Sequence, residues 1–244
     1  MIVIVLGMHR SGTSTFAGVL HMNKILMGHY ETFWPRPLTQ NPKGFYENYD
    51  FRKINDQILK LSGYYVKSYK TDIPSIDIND NLLLKMKKIV KEYNLRYENW
   101  GWKDPRTCLT VEYWVNIMQE LDLSDDIKII FVVRKALTVS RSLKKRNELP
   151  LEQGLELWKA YTERALKFCN ESQLPTHYCS FEALLKDPLP TCDSLFGFLN
   201  EQWDPKVVDQ FVDSSITSSQ KGEEMTPPED IVRLESELYS RVEK

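Results

Sequence analysis

Three short apolar runs predict buried β-strands. The run Ile2 to Leu6 is mostly β-branched, IKIIFVV follows at residues 127–133, and THYCSF at 176–181 is a weaker third example. Continuous apolar runs of this length are typical of parallel strands that are covered on both faces. Because segments with helical periodicity separate the runs, the pattern predicts an α/β fold with a central, mostly parallel sheet.

The segments between the strands have apolar residues at three- and four-residue spacing, which predicts helices. Predicted helices begin at about Gly12 and also cover residues 51–61, 81–97, 136–147, 150–169, 192–200 and 205–212. The order predicts one three-layer domain over residues 1–244. A charged C-terminal helix at 229–244 follows a Pro-Pro pair, and is expected to be either docked on the core or mobile.

The composition is that of an ordinary globular protein, with 42% hydrophobic and 27% charged residues. The formal net charge of -2 gives no global attraction to nucleic acid, so an anion site requires local cations. The first apolar run is too short for a signal-peptide core or a membrane span, and we therefore expect a cytoplasmic protein. The four cysteines and four histidines lack metal-ligand spacing, which predicts reduced thiols and no metal.

The opening segment MIVIVLGMHRSGTS resembles a nucleotide-binding loop with one residue changed. Gly7, Gly12 and Ser14 match the pattern G-x-x-x-x-G-K-[ST], but Thr13 occupies the lysine position and the nearest cation is Arg10. A loop between a strand and a helix N-terminus binds an anion through backbone N–H groups and the helix dipole. Without the lysine, an anion smaller than a triphosphate is favoured.

Three segments together resemble the sulfotransferase family that uses 3′-phosphoadenosine 5′-phosphosulfate: GMHRSGTS, KDPR at 103–106, and VVRKALTVSRS. In cytosolic members the loop reads P-K-S-G-T-T, so Arg10 stands where their lysine stands. The resemblance implies that the loop holds the 5′-phosphosulfate of the donor and requires no divalent cation. It further implies that Arg134 and Ser142 hold the 3′-phosphate, with Ser140 as a substitute for Ser142 if the helix begins one turn later.

The resemblance also assigns a role to Lys103, which matches the lysine that neutralises the departing phosphate in tyrosylprotein-directed members. The catalytic base is less well determined, because the histidine used by cytosolic members falls on Pro105. Glu47 is ranked first, since a turn could bring it over the loop. Glu31, which has the separation from the loop arginine seen in tyrosylprotein-directed members, is second, and His29 is third.

The sequence therefore predicts an enzyme that transfers a sulfonate group to a hydroxyl-bearing acceptor, such as a carbohydrate or another small molecule. The candidate donor-binding residues are Arg10, Ser11, Gly12, Thr13, Ser14, Thr15, Arg134 and Ser142, and the candidate catalytic residues are Lys103, Glu47 and Glu31. The alternatives are an atypical nucleotide-dependent kinase and a non-catalytic nucleotide-binding module. The acceptor-binding loops carry no pattern that identifies the acceptor.

Overall fold

A computed structural model describes residues 1–29, 33–34, 43–213 and 224–242 of the chain. Its strands are β1 (Ile2–Leu6), β2 (Phe33–Trp34), β3 (Glu47–Asn48), β4 (Trp100–Lys103), β5 (Ile127–Val133) and β6 (Thr176–Ser180). Four of them form a parallel sheet in the order β4-β1-β5-β6, and β2 pairs with β3 in a separate antiparallel ribbon. The predicted α/β fold with a mostly parallel sheet is confirmed.

Ten α-helices lie between the strands and after the last strand in the part of the chain that the structure describes. They are α1 (Thr13–Met22), α2 (Tyr49–Leu61), α3 (Asp80–Arg96), α4 (Thr107–Gln119), α5 (Ala136–Asn147), α6 (Leu151–Ser172), α7 (Phe181–Lys186), α8 (Pro188–Leu199), α9 (Pro205–Phe211) and α10 (Glu229–Val242). Most lie within a few residues of the helices predicted from the sequence.

The sheet is covered by helices on both faces, which gives the predicted three layers. Because strand side chains alternate, Ile2 and Ile4 lie in one hydrophobic cluster with residues of α2, α3, α4 and α6. Val3 and Val5 lie in a second cluster with residues of α1, α7 and α8. All four β1 side chains are at most 1% exposed, so this strand is buried on both faces as its apolar run predicts.

Two elements go beyond the sequence prediction. No apolar run predicts a strand before Lys103, but residues 100–103 form the edge strand β4, and a helix that was not predicted, α4, begins at Thr107. Trp100 and Trp102 of this strand are fully buried. The C-terminal helix α10 is docked, since Ile231, Leu234 and Leu238 pack into the core on the α6 face of the sheet.

In a parallel sheet the carboxyl ends of all strands meet at one edge, where ligands of open α/β folds bind. The residues that follow β1, β4, β5 and β6 at this edge are the loop that starts at Gly7, then Asp104, Arg134 and Phe181. The fold therefore brings together the three sequence segments that carry the candidate residues.

Candidate functional site

The loop between β1 and α1 has the geometry of an anion-binding turn. Gly12 is the N-cap of α1 in the left-handed region at φ 87°, and a Cβ at this position would lie 2.2 Å from the ring of Phe181. Arg10 also has a left-handed φ of 71°, which is uncommon for a residue with a side chain. The first N–H groups of a helix have no intrahelical acceptors, so those of Thr13 and Ser14 are available to an anion, whereas Thr15 N donates to the Gly12 carbonyl oxygen at 2.9 Å.

Thr13, which occupies the position of the usual lysine, points its side chain back into the loop. A Cβ on Gly7 would meet the Thr13 methyl group at 2.6 Å, so the Thr13 side chain packs directly against the Gly7 backbone. Ser11 and Thr13 are almost fully buried, whereas Ser14 and Thr15 are partly exposed. The hydroxyl groups that face the open edge of the sheet are therefore those of Ser14 and Thr15, the second and third residues of α1.

Lys103 provides a positive charge close to this loop, in which Thr13 occupies the usual lysine position. It ends β4 directly beside Val5 of β1, and its Nζ donates a hydrogen bond to Ser14 Oγ at 3.3 Å. Its side chain is only 1% exposed. The amine thus reaches the first turn of α1 from the neighbouring strand, which places a positive charge next to the loop without a lysine in the loop itself.

Glu47 is the acidic partner of Lys103. Its Oε1 accepts a hydrogen bond from Lys103 Nζ at 3.3 Å, and its side chain is 12% exposed. Burial lowers the pKa of Lys103 below its usual value, and the charge of Glu47 opposes this shift. The pair therefore places an acid–base couple at the helix N-terminus, with the carboxylate nearer the solvent than the amine.

A network of charged and polar groups holds this pair in place. The Arg52 guanidinium lies 3.8 Å from a carboxylate oxygen of Glu47 and 3.8 Å from one of Asp56. The Arg106 guanidinium lies 2.7 Å from Asp56 Oδ1 and 2.7 Å from Oδ1 of the fully buried Asp104. Burial would raise the pKa of Asp104, but the charge of Arg106 and the hydrogen bonds from Arg106 and Asn55 together outweigh burial and hold the pKa below its usual value. Asp104 thus remains an anion that anchors the turn after β4.

Asn55 of helix α2 also holds the turn after β4 against the core. Its side-chain amide donates to Asp104 Oδ2 at 2.8 Å and to Thr107 Oγ1 at 3.1 Å, and its oxygen accepts from Thr110 and Trp114. These four bonds satisfy the buried amide completely. Sequence reasoning missed Asn55 and Asp56, because a polar pair inside a helical pattern reads as part of a solvated face.

The second candidate anion position lies at the end of β5. Arg134 Nη1 donates to the Arg10 carbonyl oxygen at 2.6 Å, and its guanidinium stacks on the ring of Phe181 with Cζ 4.7 Å from the centroid. Arg10 Nε in turn donates to Ser142 Oγ at 2.9 Å. The structure therefore brings together Arg10, Arg134 and Ser142, which are far apart in sequence.

The remaining candidates lie elsewhere. Ser140 is fully buried and donates to the Leu151 carbonyl oxygen at 2.7 Å, so Ser142 is the serine of α5 that reaches Arg10. His29 packs against Tyr93 and Tyr97 and exchanges a hydrogen bond with the Tyr97 hydroxyl. Glu31 lies outside the described residues.

His9, the residue before Arg10, is a site residue that the sequence did not single out. Burial and the nearby charge of Arg106 lower its pKa to about 3, so the ring is neutral at physiological pH. Its Nε2 is buried without a hydrogen-bond partner among the described residues, and its ring meets Tyr161 edge-on at 5.7 Å. A neutral ring adds no charge to the loop.

The described residues contain neither a metal-binding cluster nor a membrane-spanning helix. No group of three or more His, Cys, Asp or Glu side chains is arranged there to hold a metal ion, and no helix there has the length and apolar character needed to cross a membrane. All four cysteines are buried free thiols. Burial raises the pKa of Cys108 to about 12, and its sulfur accepts a hydrogen bond from Gly7 N at 3.3 Å.

The fold is similar to those of solved sulfotransferase domains. The sulfotransferase domain of the curacin biosynthetic pathway superposes with a TM-score of 0.56 at 18% identity, over 98% of this chain and 97% of that domain. The sulfotransferase domain of the Synechococcus PCC 7002 olefin synthase gives a TM-score of 0.59 at 16% identity, over 98% of this chain and 94% of that domain. No protein-family model and no curated protein sequence matches the chain. The chain therefore has a sulfotransferase fold.

Proposed function

We propose that this protein transfers a sulfonate group from 3′-phosphoadenosine 5′-phosphosulfate to a hydroxyl acceptor. The observation that carries the proposal is the meeting of Lys103, Glu47 and Ser14 at the N-terminus of α1. Such a helix N-terminus favours a bound anion, a buried amine compensates charge that develops on a leaving group, and a carboxylate accepts a proton. The sulfotransferase fold supports the same reaction class.

In the proposed reaction, the acceptor oxygen attacks sulfur and forms a new S–O bond. The bond between sulfur and the 5′-phosphate oxygen breaks, and its electron pair remains on that oxygen. Glu47 takes the hydroxyl proton, and the ammonium group of Lys103 neutralises the charge on the departing phosphate. The products are a sulfate ester and 3′,5′-adenosine bisphosphate, so atoms and charge balance without a metal ion.

The cations of the site match the two anionic ends of this donor. The loop, Arg10 and Lys103 suit the 5′-phosphosulfate, and Arg134 with Ser142 suits the 3′-phosphate. A nucleoside triphosphate lacks the 3′-phosphate, and it would meet Thr13 where an ATP-binding loop offers lysine. The arrangement of cations is therefore better suited to the sulfonate donor than to ATP.

Sulfonate transfer is tested with sulfur-labelled donor, a panel of phenol, sugar and aliphatic alcohol acceptors, and EDTA in the buffer. We expect a labelled ester and 3′,5′-adenosine bisphosphate in equal amounts, and we expect Lys103→Met to abolish both. Product formation that requires magnesium and ATP would favour the kinase instead. Binding of the bisphosphate without turnover on any acceptor would favour the non-catalytic module.

A further inference from the structure

Arg146 contacts the segment that leads to Glu47. It belongs to the last turn of α5, is exposed to solvent, and stacks its guanidinium over the ring of Phe45 with Cζ 5.4 Å from the centroid. Phe45 is itself buried and stands two residues before Glu47 in the chain. The stacked ring therefore holds a cation next to the segment that delivers the proposed base.

Arg146 is also part of a group of positive charges around the loop. It follows Ser142 by one helical turn, and Ser142 accepts the hydrogen bond from Arg10, so both residues of α5 share the face toward the loop. Burial, followed by the charges of Arg146 and Arg134, lowers the pKa of Arg10 to about 10. Clustered like charges repel one another, and a bound anion relieves the repulsion.

The side chains of Arg10 and Arg146 have few partners in the part of the chain that the structure describes. The contacts of Arg10 and Arg146 there are Ser142 Oγ and the Phe45 ring, and neither arginine forms an ion pair with a described Asp or Glu. Among the described residues, the charge of Arg146 is therefore available to a ligand.

The proposed donor uses the other cations of the group. Its 5′ end is assigned to the loop with Lys103, and its 3′-phosphate to Arg134 and Ser142. Arg134 and Arg146 stand at opposite ends of α5, which at 1.5 Å per residue separates them by about 18 Å along the helix. Arg146 thus lies beyond Ser142 on α5 as seen from Arg134, and its ring partner Phe45 stands two residues before Glu47, the proposed base for the acceptor hydroxyl.

We infer that Arg146 and Phe45 form a subsite for a negatively charged group on the acceptor, which makes the substrate a hydroxyl compound that also carries a carboxylate or a phosphate. This inference rests on the proposed function. The guanidinium fork binds either anion through two parallel N–H···O hydrogen bonds. The ring of Phe45 restricts the fork to one orientation and thereby reduces the entropy lost on binding.

The test compares acceptors that differ in charge alone. Calorimetry measures the binding of 4-hydroxyphenylacetate against its amide, 6-hydroxyhexanoate against its amide, and glucose 6-phosphate against glucose, with and without saturating 3′,5′-adenosine bisphosphate. In at least one pair we expect the anion to bind about tenfold more tightly than its neutral partner, as a charge-assisted contact implies. Arg146→Ala should remove this preference, whereas Lys145→Ala, which removes an exposed charge at the next position, should leave it unchanged.

Several results would overturn the inference. One is that both members of every pair bind with equal affinity, or that neither binds detectably. Another is that the Arg146 and Lys145 variants lose the preference for the anion to the same extent. A loss of affinity in Arg146→Ala for the bisphosphate but not for 5′-AMP would assign Arg146 to the donor's 3′-phosphate instead. Failure of the wild-type protein to bind the bisphosphate would count against the proposed function, and the titrations without nucleotide would still measure the charge preference.

Discussion

Glu47→Gln should destabilise the protein by leaving a buried ammonium group without its counter-ion. The Lys103 side chain is 1% exposed and its Nζ lies 3.3 Å from Glu47 Oε1. With an effective dielectric constant of 20, the attraction across this distance is about 5 kcal/mol. Removal of one partner of a buried pair costs about 3 to 5 kcal/mol, and we expect about 3 because the glutamine oxygen still accepts a hydrogen bond.

Urea unfolding followed by tryptophan fluorescence measures this loss at neutral pH. Glu112→Gln, an exposed position on α4, is the control for the same change in charge. The double variant Glu47→Gln/Lys103→Met should recover part of the stability, because it removes both charges at once. An unfolding free energy for Glu47→Gln equal to that of the Glu112 variant would refute the reasoning, since the pair would then be energetically irrelevant.

Four further predictions concern the loop and its neighbours. Arg10→Ala and Ser14→Ala should each weaken binding of 3′,5′-adenosine bisphosphate by about 1.5 to 3 kcal/mol in calorimetry without unfolding the protein; unchanged affinity would remove the loop from the site. Arg134→Ala should weaken the bisphosphate strongly and 5′-AMP hardly at all, and equal losses would contradict this. Lys103→Met should lower kcat with donor affinity nearly intact, so a parallel loss of affinity would argue against a role confined to the transition state. The pKa of His9 is about 3 in the folded protein and 6.5 in the unfolded chain, so the contribution of His9 to stability is complete above pH 6.5 and is lost as the pH falls toward 3. In melting curves measured between pH 6.5 and pH 3, the His9→Asn variant should therefore lose less stability than the wild type.

The choice between the candidate bases is tested kinetically. An acceptor with a more acidic hydroxyl needs less help to lose its proton, so acidic phenols should recover part of the rate lost in Glu47→Gln. Lys103→Met should not be rescued in this way, because the leaving phosphate is the same for every acceptor. If acidic phenols rescue Glu31→Ala and leave Glu47→Gln unaffected, the order of the two carboxylates is reversed.

The parts of the fold that could be predicted are those with a strong local signal. The strand at Ile2 and the strand at Ile127 are long apolar runs, and the loop between Gly7 and Gly12 matches a known pattern. The edge strand ending at Lys103 was missed because it is four residues long, contains a glycine, and is followed by Asp-Pro, which reads as a turn. Its pairing with β1 is a long-range contact that no local pattern encodes.

In the candidate site, too, residues with a local sequence signal could be predicted, and contacts between distant segments could not. The loop was identified by its sequence pattern, and Arg134 and Ser142 were identified by the resemblance to the sulfotransferase family; whether they bind the donor remains a prediction. Glu47 could be ranked only as one of several candidate bases, because its contact with Lys103 depends on how the two-residue strand β3 lies over the end of β4. The stacking of Arg146 on Phe45 had no sequence signal, since it joins a helix end to a distant loop.

The most direct test of the central claim is a calorimetric titration of the purified protein with 3′,5′-adenosine bisphosphate in EDTA, alongside a titration with MgATP. A site built from the β1–α1 loop, Arg10 and Arg134 should bind one bisphosphate per chain without a metal ion and should bind MgATP at least tenfold more weakly, since each lost charge-assisted contact is worth about 1.5 to 3 kcal/mol. Tight binding of MgATP with no detectable binding of the bisphosphate would contradict the account.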